Sequence, residues 1–172
     1  MKKALLLLFI IALISGVSTS LILTPKLFTH SQQKTEIPDI ELKNTADNTV
    51  NLKKEINQKT ILLFWLPKSN ICQQQLKILQ QLKNKYRKNI HIYGITIGNI
   101  QSTKLTKVKE KYNLNFPLLI DKRAELTEKL MINSIPTLIF INKQGVITER
   151  HTGLLNLSNL KENLDNITTV NN

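Results

Sequence analysis

Apolar positions along this chain fall into runs of three kinds. The first is almost continuous: Ala4 to Ile14, then Leu21-Ile22-Leu23 after the small-residue stretch Ser15-Gly16-Val17-Ser18-Thr19-Ser20. The second kind is short and wholly apolar, as in Ile61-Leu62-Leu63-Phe64-Trp65-Leu66 and Leu138-Ile139-Phe140-Ile141. Runs of that length fit central strands covered on both faces. The third kind recurs at three- or four-residue steps, as in Cys72, Leu76, Leu79, Leu82 and Tyr86, which places one stripe along a helix from Gln73 to Tyr86.

The remaining elements follow from the same pattern. Ile40 and Leu42 alternate with polar neighbours, Asn44 to Asn48 is turn-like, and Val50 and Leu52 alternate again, which predicts a β-hairpin. Ser69 is a helix N-cap for the stripe that follows it. Ile90 to Ile97 reads as a second strand, Leu105 to Tyr112 as a helix and Phe116 to Ile120 as a short extended piece. Glu125 to Met131 is helical, and Thr137 to Ile141 is a buried strand. Asn142 to Gly145 is a turn, Val146 to His151 a returning strand, and Leu157 to Leu164 a closing helix. Strands that alternate with helices and end in a hairpin and a helix predict an α/β fold with a mixed sheet flanked by helices.

The first apolar run is kept apart from the fold. Lys2 and Lys3 precede it, and Ala4 to Leu23 taken as one piece is about long enough to span a bilayer. The basic residues place the start of the chain in the cytoplasm and the rest outside, as a single-pass protein of the cell membrane. The rival reading is a cleaved signal peptide, with small residues at Ser18 and Ser20, which leaves a secreted or periplasmic domain. Residues 1–23 are thus a signal anchor or signal peptide, 24–36 a polar tether, and 37–168 the folded domain.

Composition narrows the chemistry. Of 172 residues 41% are hydrophobic, ordinary for a chain with a packed core. The net charge of +12 comes from lysines scattered between Lys26 and Lys161, with no aromatic platform among them. This reads as a solvated basic surface suited to an anionic membrane or cell wall, not as a nucleic-acid site. The three histidines, His30, His91 and His151, are far apart, so no metal site and no cofactor are expected. His91, between Ile90 and Ile92, reads as a structural residue. One cysteine, Cys72, excludes an internal disulfide.

In order and spacing, several pieces resemble membrane-anchored thioredoxin-like proteins of the TlpA/ResA type. They are Pro38-Asp39-Ile40-Glu41-Leu42, Phe64-Trp65 before the helix, Asn115-Phe116-Pro117-Leu118-Leu119-Ile120-Asp121, Ser134-Ile135-Pro136-Thr137, and Phe140-Ile141-Asn142 with Gly145. The resemblance implies a thioredoxin-like fold and thiol-disulfide exchange on protein thiols and disulfides. In that exchange a first Cys at the helix N-terminus attacks and a second resolves the mixed disulfide. It also implies a cis Ile135-Pro136 bond beside the sulfur pair, with Trp65, Ile135 and Pro136 on the substrate side.

Three positions depart from the type. Ser69 stands where the attacking Cys belongs, leaving Ser69-x-x-Cys72. Lys68 replaces a common second Trp, and Gln75 replaces a Glu suited to proton transfer, a task an amide cannot perform. The candidate catalytic residues are therefore Cys72 and Ser69, in a degenerate site limited to single-thiol redox chemistry. The alternative from another class is a binding module in which the Pro136 groove takes an extended peptide and Cys72 is a small core residue. A lesser alternative is a peroxiredoxin-like peroxidase. Its Pro-x-x-x-Thr/Ser-x-x-Cys motif would need Pro where Trp65 stands.

Overall fold

The computed structural model describes residues 35–167. The segment 1–23 and most of the tether lie outside the described residues. Among the described residues no helix is long and apolar enough to cross a membrane.

The chain runs β1 (Glu41–Asn44), β2 (Thr49–Asn51), α1 (Leu52–Glu55), β3 (Thr60–Trp65), α2 (Asn70–Tyr86), β4 (His91–Ile97) and α3 (Ser102–Lys111). It continues through β5 (Leu118–Asp121), α4 (Glu125–Lys129), β6 (Thr137–Ile141), β7 (Ile147–Thr152) and α5 (Leu157–Asn166). The strands form a 7-stranded sheet in the order β2-β1-β5-β4-β3-β6-β7. β3, β4 and β5 are parallel to one another, and the remaining pairs are antiparallel.

β3 lies in the interior of the sheet, between β4 and β6. Every one of its positions is buried, so both faces must be covered. Alternation then divides the core. Ile61, Leu63 and Trp65 face a layer built from α2, α3 and α5, while Leu62 and Phe64 face α1, α4 and the segment around Ile37 and Ile40. Burying a leucine such as Leu76 or Leu79 in the first layer contributes about 1.5–3 kcal/mol. That outweighs the weak helical propensity of a segment opening on Asn70 and Ile71.

The structure departs from the sequence pattern in two places. Leu52 was expected to continue the β2 strand but opens the short helix α1 instead. Asn51 caps it by accepting from the Lys54 N–H at 3.3 Å, and the Leu52 side chain turns into the core. Pairing also begins before residue 37. The Ile147 N–H donates to the Thr35 carbonyl at 2.8 Å, the Ile37 N–H to Gly145 at 2.9 Å, and Glu36 bridges Val146. The last residues assigned to the tether are thus stitched to the β6–β7 hairpin.

The strand directions give the sheet two poles. At one lie the end of β3, the start of α2, the segment before β6 and the segment after β7. At the other lie the start of β4, the end of α2 and the β6–β7 turn.

Candidate functional site

β3 delivers the chain to the first pole at Trp65, and the segment 66–69 turns it into α2. Ser69 has an extended backbone (φ −86, ψ 116), and its hydroxyl accepts from the Cys72 N–H at 3.4 Å. Asn70 and Ile71 open the helix, and Cys72 follows on its first turn with no exposed surface, among the apolar residues that continue through Leu76 and Leu79. Helix α2 contains no acidic residue, and no base hydrogen-bonds the Ser69 hydroxyl among the described residues. A serine hydroxyl without a base does not attack a disulfide, and a sulfur without exposed surface cannot be the first to meet one.

Two glutamines hold the flanks of this turn. The Gln75 side chain is fully buried and spans to the segment after β7. Its Nε2 donates to the Leu155 carbonyl at 3.1 Å, and its Oε1 accepts from the Leu155 N–H at 2.7 Å. Gln73 holds the other side: its Nε2 donates to the Pro67 carbonyl at 2.7 Å, while its Oε1 accepts from the Tyr112 hydroxyl at 2.6 Å. The amide at position 75 is therefore a two-way structural clamp, a role that an ionised carboxylate, having no proton to give Leu155, cannot fill.

The third wall comes from the segment before β6. The Ile135–Pro136 peptide is cis. Thr137 donates from Oγ1 to the Ser134 carbonyl at 2.7 Å, and the Gly153 N–H donates to the Pro136 carbonyl at 2.8 Å, tying this segment to the end of β7. Pro136 is buried while Ile135 is half-exposed, and among the described residues no backbone hydrogen bond ends on Ile135. The same pole carries two of the large exposed apolar side chains of the domain, Ile71 (42% exposed) and Leu154 (41%).

Trp65, expected on the substrate side, is placed elsewhere. It has no exposed surface and packs within the core layer under α2. Its Nε1 has no hydrogen-bond partner among the described residues. Gly94 on β4 makes room for the ring: a Cβ there would stand 3.2 Å from Trp65 Nε1 and 2.6 Å from Leu118 Cδ2. Trp65 thus supports the site from beneath.

The structure brings Ser69, Cys72, Ile135 and Pro136 to one pole and adds residues that sequence reasoning missed. Gln73, Tyr112, Leu154 and Leu155 carry no motif. Gln75 stands out in the sequence only as an amide in place of a Glu, and its neighbours Cys72 and Leu76 on the apolar stripe are the signal that it turns inward. Among the described residues no group of three or more His, Cys, Asp or Glu side chains is placed to hold a metal ion.

Residues 34–150 match the AhpC/TSA family. The chain belongs to that family. Among curated proteins it is similar to the thioredoxin-like protein YneN of Bacillus subtilis, 24% identical over 136 residues that span 78% of this chain and 79% of that protein. It is also similar to the thiol-disulfide oxidoreductase ResA of Oceanobacillus iheyensis, 27% identical over 140 residues, 78% of this chain and 72% of ResA. Among solved structures it resembles StoA from Bacillus subtilis, with a TM-score of 0.60 and 22% identity over 73% of this chain and 98% of StoA. It also resembles the exposed lipoprotein thioredoxin Etrx1 of Streptococcus pneumoniae, with a TM-score of 0.65 and 22% identity over 75% of this chain and 99% of that one. This member of the AhpC/TSA family is therefore thioredoxin-like in fold and akin to thiol-disulfide oxidoreductases. Its own residues at the helix start decide what chemistry is left to it.

Proposed function

We propose that this protein is a thioredoxin-like binding module, held outside the cytoplasmic membrane by residues 1–23, that captures an extended peptide segment at the Ile135–Pro136 edge. The observation that carries this reading is the contrast at one pole between a sulfur with no exposed surface and a backbone edge at Ile135 that makes no backbone hydrogen bond among the described residues, with Ile71 and Leu154 exposed at the same pole. An extended segment can pair with such an edge through its own N–H and C=O groups, while apolar side chains settle on the rim. Nothing in that interaction requires sulfur.

The sequence alone ranked single-thiol chemistry at Cys72 first. Burial of Cys72 and the Ser69 cap in front of it favour the binding reading instead. A peroxidase is supported least, because the activated thiolate it needs must be reached by peroxide and the position of its proline is filled by the buried Trp65.

Pull-downs and an insulin-reduction assay with dithiothreitol test the reading together. The protein should reduce insulin no faster than dithiothreitol alone. Peptide or protein ligands should be captured equally by wild type and Cys72→Ser, with or without reductant, and lost on Leu154→Asp or Ile71→Asp. Capture that disappears in Cys72→Ser and is reversed by reductant would restore the single-thiol mechanism. Turnover matching a two-cysteine relative would defeat both.

A further inference from the structure

At the opposite pole the chain builds a second concave feature. A shallow cavity of about 470 Å³, open to solvent, is lined by Gln58, Lys83, Arg87, Lys88, His91 and Asn115. We propose that this cavity binds a phosphate group, either as free phosphate or as the headgroup of a lipid.

Its lining holds three cationic side chains and an imidazole but no carboxylate. Helix α2 supplies none either, since Asn70–Tyr86 contains no Asp or Glu. Some of this charge serves the fold. The Lys83 ammonium donates to the carbonyls of Arg87 and Ile90, which closes the C-terminal end of α2. That engagement also fixes the cation at the cavity wall and leaves one of its three N–H groups for a ligand. Arg87 and Lys88 lie beyond the helix end, exposed, and no acidic side chain is within ion-pair distance of either among the described residues.

His91 lines the same cavity. Its Nδ1 is buried and has no hydrogen-bond partner among the described residues. An unpaired buried nitrogen is unfavourable, and a turn of the ring would present it to an anion in the cavity.

A neighbouring cavity of about 230 Å³ shares Lys83, His91 and Asn115 but is also lined by Glu55 and Tyr93. The Glu55 carboxylate repels an anion from that side, so the larger, carboxylate-free space is the anion's place. Phosphate suits it because its several oxygens can accept from an ammonium, a guanidinium and a ring N–H at once, and guanidinium binds it in a two-pronged manner.

Bound anion would also act on His91. Burial first, and then the Lys83 charge, hold the imidazole below its ordinary pKa, with Glu55 opposing. A phosphate beside it supplies the missing negative partner, so saturation should raise the His91 pKa. The charged or titratable groups around it are Lys83 from α2, Arg87 and Lys88 just beyond its end, Glu55 from α1 and Tyr93 from β4.

The test is a nuclear magnetic resonance titration of the full chain in an uncharged maltoside detergent. Orthophosphate and a short-chain soluble phosphatidylglycerol are the ligands, with sodium chloride at matched ionic strength as control. Saturable shifts at His91 and Asn115 and an upward move of the His91 pKa are expected, and the Arg87→Gln/Lys88→Gln double variant should bind at least tenfold more weakly. Saturation by orthophosphate supports the free anion, and saturation by the lipid alone supports a headgroup. Lys88→Gln by itself lies on an exposed turn and should give a partial loss, should the double variant unfold. The proposal is overturned if sodium chloride reproduces the shifts, if neither ligand saturates, or if Lys88→Gln weakens binding no more than Lys129→Gln on the remote helix α4.

Discussion

Cys72 and Gln75 occupy consecutive positions on the inward side of α2, and what each does follows from burial. With no exposed surface, the Cys72 sulfur is reached only when the helix start opens. Alkylation by iodoacetamide should therefore be at least a hundredfold slower in folded protein than in denaturant at the same pH, and rapid reaction of the folded form would show that the sulfur is on the surface. Gln75 yields a sharper expectation. Replacing it with Glu keeps the acceptor for the Leu155 N–H but, once ionised, sets a charge against the Leu155 carbonyl. The folded state then raises the Glu pKa above its unfolded value of about 4.3. The variant should match wild type below about pH 4 and lose stability as pH rises through that value, reaching a deficit on the order of 3 kcal/mol near neutrality. Chemical denaturation at pH 4 and pH 7 checks this, and equal losses at both would refute the clamp.

Elements show why so much of the fold was legible and part of the site was not. β3 and β6 were read from continuous apolar runs, and α2 from its stripe and Ser69 cap, because burial on two faces or on one leaves a period in the sequence. Leu52 misled because a lone apolar residue after Val50 has the same spacing in a strand and in one helical turn, and only the Asn51 cap decides between them. The glutamine contacts of α2 were not legible, since Gln75 and Gln80 bond to backbone groups 80 and 35 residues away in the chain and leave no local trace. β4 carries a testable consequence of its own at its first residue. His91 is held below its ordinary pKa by burial first and then by Lys83, with Glu55 opposing. Because the unfolded chain binds that proton more readily, folding stability falls as pH drops below about 6.5 towards the lower folded value. His91→Gln removes this share of the dependence, so its stability curve from pH 7 to pH 5 should be flatter than that of wild type, as measured by urea unfolding. An unchanged slope would place the acid sensitivity elsewhere.

The described domain is built on a sheet with two dissimilar ends. One end carries Ser69 and the buried Cys72 beside the cis Ile135–Pro136 peptide, and the other gathers cations around a cavity. The first end depends on late parts of the chain, and so does the beginning. Among the described residues, Thr35, Glu36 and Ile37 find their backbone partners in Gly145, Val146 and Ile147. A polypeptide that emerges start first, from a ribosome or through a translocation channel, therefore exposes these residues long before their partners exist. The edge of the sheet stays open until nearly the entire domain has been delivered. Any delay in synthesis or transport before residue 147 leaves that open edge in reach of the quality-control proteases and holdase chaperones that patrol unfinished chains.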